Sequence, residues 1–273
     1  MRINQNIAAF NAYRNLSGTN ILMGKTLEKL SSGFRINRAA DDAAGLVKSE
    51  RLRSEINGSR QAIQNAQDGI SFVQNAEGAL SEVHAMLQRM RTLAIDAANT
   101  ATSDGVPQQA EIDELLAELD AIGARSTFAG NQVFQDYSVT ALTFHVGPNA
   151  GAINRMQITN DLTMASNAVF GADISTIDVT TGADAAITAL DTAIGNVSQV
   201  RSQLGATQNR MEHTIANLQV AQENLSASES RIRDADMALE MVSFTRHQIM
   251  VQAGTSMLAQ ANAQPQSILS LLG

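Results

Sequence analysis

The 273-residue sequence has no cysteine, no tryptophan, three prolines and 4% aromatic residues. Without cysteine there are no disulfides and no thiolate metal sites, although this assigns no compartment. Sparse aromatics argue against a large globular core, because aromatic side chains bury the most area per residue. The prolines stand at 107, 148 and 265, so 1–106 and 149–264 are free of the residue that most often breaks helices. No run approaches about 20 consecutive apolar residues, and no membrane span is expected. Arg2, Arg14 and Lys25 interrupt the N-terminal region and no apolar h-region follows, so any export is expected to bypass the general signal-peptide route.

Charge is missing in one place and surplus in another. The last 27 residues contain no Asp, Glu, Lys or Arg and alternate apolar side chains with Gln, Asn and Ser. A neutral terminal helix that is not a membrane span suggests burial within an assembly, one face packed and the other lining something polar. Residues 1–60 carry ten basic against five acidic side chains, whereas 61–200 carry four against sixteen. The net charge of −8 gives no footprint for nucleic acid. The acidic middle reads as a solvated, outward-facing region.

Catalytic patterns are lacking as well. His84, His145, His213 and His247 are scattered, without an HExxH pair or partners at metal-ligand spacing. There is no Walker A loop, no GxGxxG after a strand and no GxSxG elbow. Asp41 and Asp42 adjoin at a loop-to-helix junction, where acidic residues favour the helix start. The expectation is a protein without enzymatic activity, metal or cofactor.

What the chain does have is a seven-residue repeat. Leu190, Val197, Leu204, Met211, Leu218, Leu225, Ile232 and Leu239 are each seven apart. Ala66, Val73, Leu80, Leu87 and Ala94 repeat the rhythm, with Ile63 and Ile70 beside them and Ala76, Val83 and Met90 after a shift. Such spacing predicts long helices packed in register on other helices. Fifty residues would span roughly 75 Å, longer than a compact enzyme domain needs. Burying eight large side chains yields on the order of 12–24 kcal/mol, while fixing fifty backbones costs on the order of 50–100 kcal/mol. Neighbouring helices, in this chain and in other subunits, must supply the difference.

Helices are expected over about 4–32, 42–99, 108–124 and from 183 onward. Ile112, Leu115, Leu116, Leu119 and Ile122 share one face of the third. A turn is expected at 103–107. Residues 130–181 are punctuated by Gly and Asn around β-rich runs at 139–146 and 153–158, predicting one or two hairpins, with Leu142, Phe144 and Val146 on one side. The two chain ends are expected to pair, Met23, Leu27, Leu30 and Phe34 against Met237, Met241 and Phe244. The fold class is therefore mainly α, a long coiled-coil helical bundle with a small β-hairpin insertion.

Two stretches carry a family resemblance. Ser31-Ser32-Gly33-Phe34-Arg35-Ile36-Asn37-Arg38-Ala39-Ala40-Asp41-Asp42-Ala43-Ala44-Gly45-Leu46 resembles the signature of bacterial flagellins, as do Asn65-Ala66-Gln67-Asp68-Gly69-Ile70-Ser71 and Leu87-Gln88-Arg89-Met90-Arg91. Ser230-Arg231-Ile232-Arg233-Asp234-Ala235-Asp236, Gln252-Ala253-Gly254-Thr255 and the terminal Leu271-Leu272 resemble the family's other end. The resemblance covers about 1–135 and 183–273, with a middle too short for the large outer domains of many members.

The resemblance implies a structural subunit that polymerises into a flagellar filament for swimming. Residues 1–40 with 233–273 would form an inner coiled-coil domain, and 41–232 an outer helical domain with its β-hairpin region at about 130–181. Gly33, Arg35, Asn37, Arg38, Asp41 and Asp42 would connect the two layers, Gly33 permitting a bend and the charged residues contacting neighbours. Arg89, Leu93 and Glu111 match a subunit-packing segment that a vertebrate Toll-like receptor recognises in some flagellins; Thr92 stands where strongly recognised members carry an acidic residue. Gln260, Asn262 and Gln264 would line a neutral inner channel. Implied partners are further copies of the chain in a homopolymer, an export chaperone on the C-terminal helix, and hook-associated and cap proteins, with type III export to an extracellular filament and no nucleic acid or membrane partner. A hook–filament junction protein of the same superfamily is the alternative, and an adhesive or immune ligand a further one.

Overall fold

The computed structural model describes residues 5–99, 104–137, 141–158, 162, 164, 172–175 and 177–272, with side chains as far as Gln264. The chain is mainly α. Among the described residues five α-helices, α1 (Ile7–Ser32), α2 (Ala43–Ala97), α3 (Val106–Arg125), α4 (Ala183–Arg233) and α5 (Met237–Leu272), are accompanied by two antiparallel hairpins. The packing divides into two compact units, residues 1–54 with 224–273 and residues 55–223.

Polar side chains set the helix ends. Asn6 accepts from the Ala9 N–H at the start of α1, satisfying one of the donors that a first turn leaves open. Gly33 ends that helix at φ 75°, its N–H bonded to the Lys29 carbonyl, in a conformation that costs glycine little and other residues more. Asp42 accepts from the Gly45 N–H as α2 begins. Asp236 does the same for Ala238 and Leu239 as α5 begins. Pro107 lies in the first turn of α3, where its missing N–H is harmless. The helix starts at Val106, two residues before the sequence expectation.

Unit 55–223 holds the core. Ala66, Val73, Ala76, Leu80, Val83, Leu87, Met90 and Ala94 of α2 are buried, as are Leu190, Val197, Leu204, Met211 and Leu218 of α4. Both heptad series thus face inward. From α3, Ile112 and Leu119 join them, with Leu115, Leu116 and Ile122 partly buried alongside. Arg91 to Asp191 and Arg201 to Glu77 bridge the α2 and α4 surfaces outside this core. The α4 series weakens toward its end and does not run on. Leu225 and Ile232 are half-buried, α4 stops at Arg233, and Leu239 lies on α5 with 65% of its surface exposed. The eighth heptad residue therefore belongs to another helix. The spacing persists in number, but Asp234 and Asp236 interrupt the rod.

The hairpins close over this core. β3 (Leu142–His145) pairs with β4 (Arg155–Ile158), Leu142 opposite Ile158 and His145 opposite Arg155. Phe144 of β3 packs with Phe72 of α2, rings 5.9 Å apart, and Met156 and Val146 pack with Ala66 and Met211. The strand begins at Leu142; residue 139, expected as its start, lies outside the described residues, as does Ser103 of the expected turn. A shorter hairpin, β1 (Thr127–Phe128) with β2 (Asn131–Gln132), precedes it. Its two-residue turn has Ala129 at φ 52° and Gly130 at φ 85°. Both angles suit a type I′ turn, whose twist matches that of paired strands. Phe128 meets Phe72 edge-on at 5.8 Å. The acidic middle is not only outward-facing: Val133, Phe134, Tyr137, Leu162, Met164, Ile174, Ile177 and Val179 are buried in the same core, and burial raises the Tyr137 phenol above its ordinary pKa.

Candidate subunit-packing surfaces

The unit of residues 1–54 with 224–273 is built on α1 against α5. Asn6 ties them, its side-chain N–H₂ donating to the Ala261 carbonyl at 2.7 Å. Lys29 reaches Glu240 at 3.1 Å, with 28% and 14% of the two side chains exposed. Gly254 lies against Leu16; a Cβ there would stand 3.2 Å from Leu16 Cδ1. Yet two helices cannot bury both of their apolar sides on each other. Among the described residues, Phe10, Tyr13, Ile21, Leu27, Met241, Ile249 and Met257 are each more than half exposed. Met23 and Leu30 are only half-buried. The pairing expected of Leu27 and Met241 is thus incomplete, because both lie largely on the open side. A groove of about 470 Å³ runs along α5 past Met241, Val242, Ile249 and Met250.

The connector after α1 binds its own chain. Phe34 and Asp234 form a β-bridge, with Arg35 N–H donating to the Arg233 carbonyl and Ala235 N–H to the Gly33 carbonyl. The Arg35 guanidinium donates to the Ile232 carbonyl. Asn37 donates to Ser32 Oγ at 2.8 Å. Asp41 accepts from the Arg38 and Asn37 N–H groups, and these bonds, the Arg38 one foremost, hold its pKa below the ordinary value. Arg38 pairs with Glu28 at 2.8 Å. Arg233 packs over the Phe34 ring at 4.8 Å and reaches Glu50 at 2.8 Å. Ile36 is fully buried beneath these contacts. Arg35, Asn37, Arg38, Asp41 and Asp42 therefore have partners inside the chain, so none needs a neighbour to be satisfied. Sequence reasoning named one side of this junction and missed the other: Glu28, Glu50, Arg233 and Asp234 complete it, and the clustered Arg and Asp at 231–236 were the available signal.

In unit 55–223, Arg89 of α2 and Glu111 of α3 come together through two hydrogen bonds of 2.7 and 3.1 Å. The Glu111 bond raises the Arg89 pKa. Both side chains remain about half exposed, so salt screens the pair and it orients more than it stabilises. Leu93 is not with them at the surface; at 7% exposure it belongs to the core. Thr92 turns its hydroxyl back to the Arg89 carbonyl. Gln260, Asn262 and Gln264 are all exposed on α5.

Among the described residues no group of His, Asp or Glu is arranged to hold a metal ion. No helix among them is long and apolar enough to cross a membrane.

Comparison with known proteins agrees with this arrangement of paired ends and a helical middle. Residues 3–139 match the model of the bacterial flagellin N-terminal helical region, and residues 187–272 that of the C-terminal helical region. The chain is 49% identical to a flagellin of Halalkalibacterium halodurans and 46% identical to a flagellin of Bacillus subtilis, over the whole of both chains in each case. A solved structure from Vibrio parahaemolyticus, described as a candidate flagellar hook-associated protein, is similar in fold with a TM-score of 0.57. It covers 71% of this chain and all of its own at 13% identity, a likeness of fold alone. The chain belongs to the bacterial flagellin family.

Proposed function

We propose that this protein is the structural subunit of a bacterial flagellar filament and acts by polymerising with further copies of itself. One observation carries the reading: among the described residues, the unit of residues 1–54 with 224–273 leaves large apolar side chains open along both α1 and α5 while burying a single apolar residue, Ile36. A monomer gains nothing from that arrangement; a polymer that covers those faces does. Full-length identity of 46–49% to flagellins favours this over a junction protein. A structural role also suits a chain whose titratable groups serve helix caps and surface pairs.

Within the filament, residues 1–40 with 233–273 form the inner domain and 41–232 the outer one. Gln260, Asn262 and Gln264 present a neutral surface to an inner channel, which suits the passage of unfolded subunits because it offers no charge to hold them. The subunit is exported by the flagellar type III route, held before export by a chaperone on α5, and works extracellularly beside hook-associated and cap proteins. Arg89 with Glu111 forms part of the packing surface, and Leu93 supports it from beneath. The same surface is what a Toll-like receptor would meet; a receptor-reporter assay decides this, with loss of signal in Arg89→Ala expected and a silent parent protein ruling it out.

The test of the main reading is electron microscopy and limited proteolysis after adding filament seeds. Long uniform tubes are expected, with residues 1–35 and 238–273 cleaved in the monomer and protected in the polymer. Lys at both 260 and 264 should slow growth without preventing folding. Equal protection in both states, or seeds that never lengthen, refutes the proposal.

A further inference from the structure

Unit 55–223 contains seven arginines, no lysine and nineteen acidic residues. Four of the arginines are held by carboxylates of the same unit: Arg89 by Glu111, Arg91 by Asp191, Arg125 by Glu118 and Arg201 by Glu77. Arg60, Arg155 and Arg210 have no ion pair among the described residues. In a segment with so many carboxylates to spare, this is a matter of placement, not of supply.

Two of the three share one site. Arg155 of β4 and Arg210 of α4 line a cleft of about 440 Å³ between the β3–β4 hairpin and α4, together with His213 and Asn217. Its apolar lining includes Met156 and Leu218, 4% and 8% exposed. Ile153 also lines it and is 94% exposed, an apolar knob with nothing over it. Cationic groups around a partly apolar cleft suit acidic side chains presented by a protein surface.

The same unit carries such a surface. Over its 20 residues α3 bears Glu111, Asp113, Glu114, Glu118 and Asp120 against Arg125 alone. Asp113 and Glu114 are exposed and enter no ion pair among the described residues. We propose that the Arg155–Arg210 cleft receives α3 of a second copy of this chain, the two arginines meeting Asp113 and Glu114. This rests on the filament reading and names one of its contacts. Each copy offers both halves, cleft and helix, so in the filament the contact runs head-to-tail and propagates. Placing Arg89 and Glu111 near the seam, it also gives their bidentate bond a use, because it keeps Glu111 from competing for the incoming arginines.

Two variants test this through a mixing experiment. Arg155→Glu with Arg210→Glu makes the cleft acidic, so that it repels every α3 in the sample. Asp113→Lys with Glu114→Lys makes the 113–114 patch of α3 basic while the helix as a whole becomes neutral, and the arginines of the parent cleft then meet like charge. At low salt each variant alone should lengthen parent seeds at least about tenfold more slowly than the parent protein. An equimolar mixture should recover growth to within a few-fold of the parent rate, since the acidic cleft of one accepts the basic 113–114 patch of the other in alternation. Raising the salt should shrink both differences. Recovery in the mixture also shows that both variants are folded. Parent-like growth of either variant alone, or a mixture as slow as its components, overturns the contact and leaves the filament reading intact. A parent protein that lengthens no seeds overturns both.

Discussion

The two units of this chain treat their apolar residues in opposite ways. In residues 55–223 nearly every buried apolar side chain of the protein is found, and among the described residues only Ile95, Val106, Ile153 and Val220 are large, apolar and exposed. Among the described residues of 1–54 with 224–273, Ile36 is the single buried one, against fourteen large ones exposed. Composition does not explain this, because both units consist of helices with apolar stripes. Neighbour number does. α2, α3, α4 and the hairpins surround a common interior, whereas α1 packs chiefly on α5. One unit is stable as it stands; the other is finished by whatever covers it.

The comparison breaks most sharply under truncation of the core. Leu204, 1% exposed in unit 55–223, should lose about 2–5 kcal/mol of stability as Leu204→Ala, because the cavity adds to the lost transfer energy. A thermal or urea melt reads this directly. Phe10→Ser, at a position 71% exposed, should shift the monomer melt by no more than about 0.5 kcal/mol yet reduce seeded elongation severely. If Phe10→Ser instead melted like Leu204→Ala, the α1 face would already be covered in the monomer and the distinction between the units would fall.

How far the sequence disclosed this depends on periodicity. The α2 and α4 heptads were legible because each residue in them repeats one packing geometry, and Val73, Leu80, Leu87, Leu190, Val197 and Leu204 are buried as that spacing predicts. Val133, Tyr137, Ile174 and Ile177 reach the same core from irregular segments, where apolar residues have no period to betray them. Of the one or two hairpins expected from residue 130 onward, β1–β2 begins earlier, at Thr127, because its turn places Ala129, an unusual choice for a positive φ, before Gly130. At the connector, Gly33 and Asp41 were legible from local turn chemistry. Their partners across the junction, Arg233 and Asp234, lie some 200 residues away and only folding reveals the pairing. Leu93 is the instructive case at the surface: its segment marked it for subunit contact, and its position on the inner face of α2 buries it.

The smallest effect sharpens the comparison at the turns. Each unit contains an aspartate that organises a turn before a helix: Asp41 accepts from two backbone N–H groups, and Asp178 accepts from Thr180 N–H and the hydroxyls of Thr180 and Thr181 ahead of α4. The Thr180 and Thr181 hydroxyl bonds lead in lowering the Asp178 pKa to about 2 from an ordinary 3.8. A carboxylate depressed in the folded state contributes stability that is fully present above its unfolded pKa and is lost as the pH falls through its folded one. The Asp178 contribution should therefore be complete above about pH 4 and fade toward pH 2. Because the group is exposed, salt should weaken it. Asp178→Asn removes the charge with little change of shape. Melts of parent and variant should differ by a small constant amount from pH 7 to about 4.5 and converge as the pH approaches 2, whereas the general acid destabilisation from other carboxylates cancels in the difference. A gap that stayed constant down to pH 2 would mean that the carboxylate's charge contributes nothing to this turn, and that its hydrogen-bond geometry, which asparagine shares in part, is what holds the entry to α4.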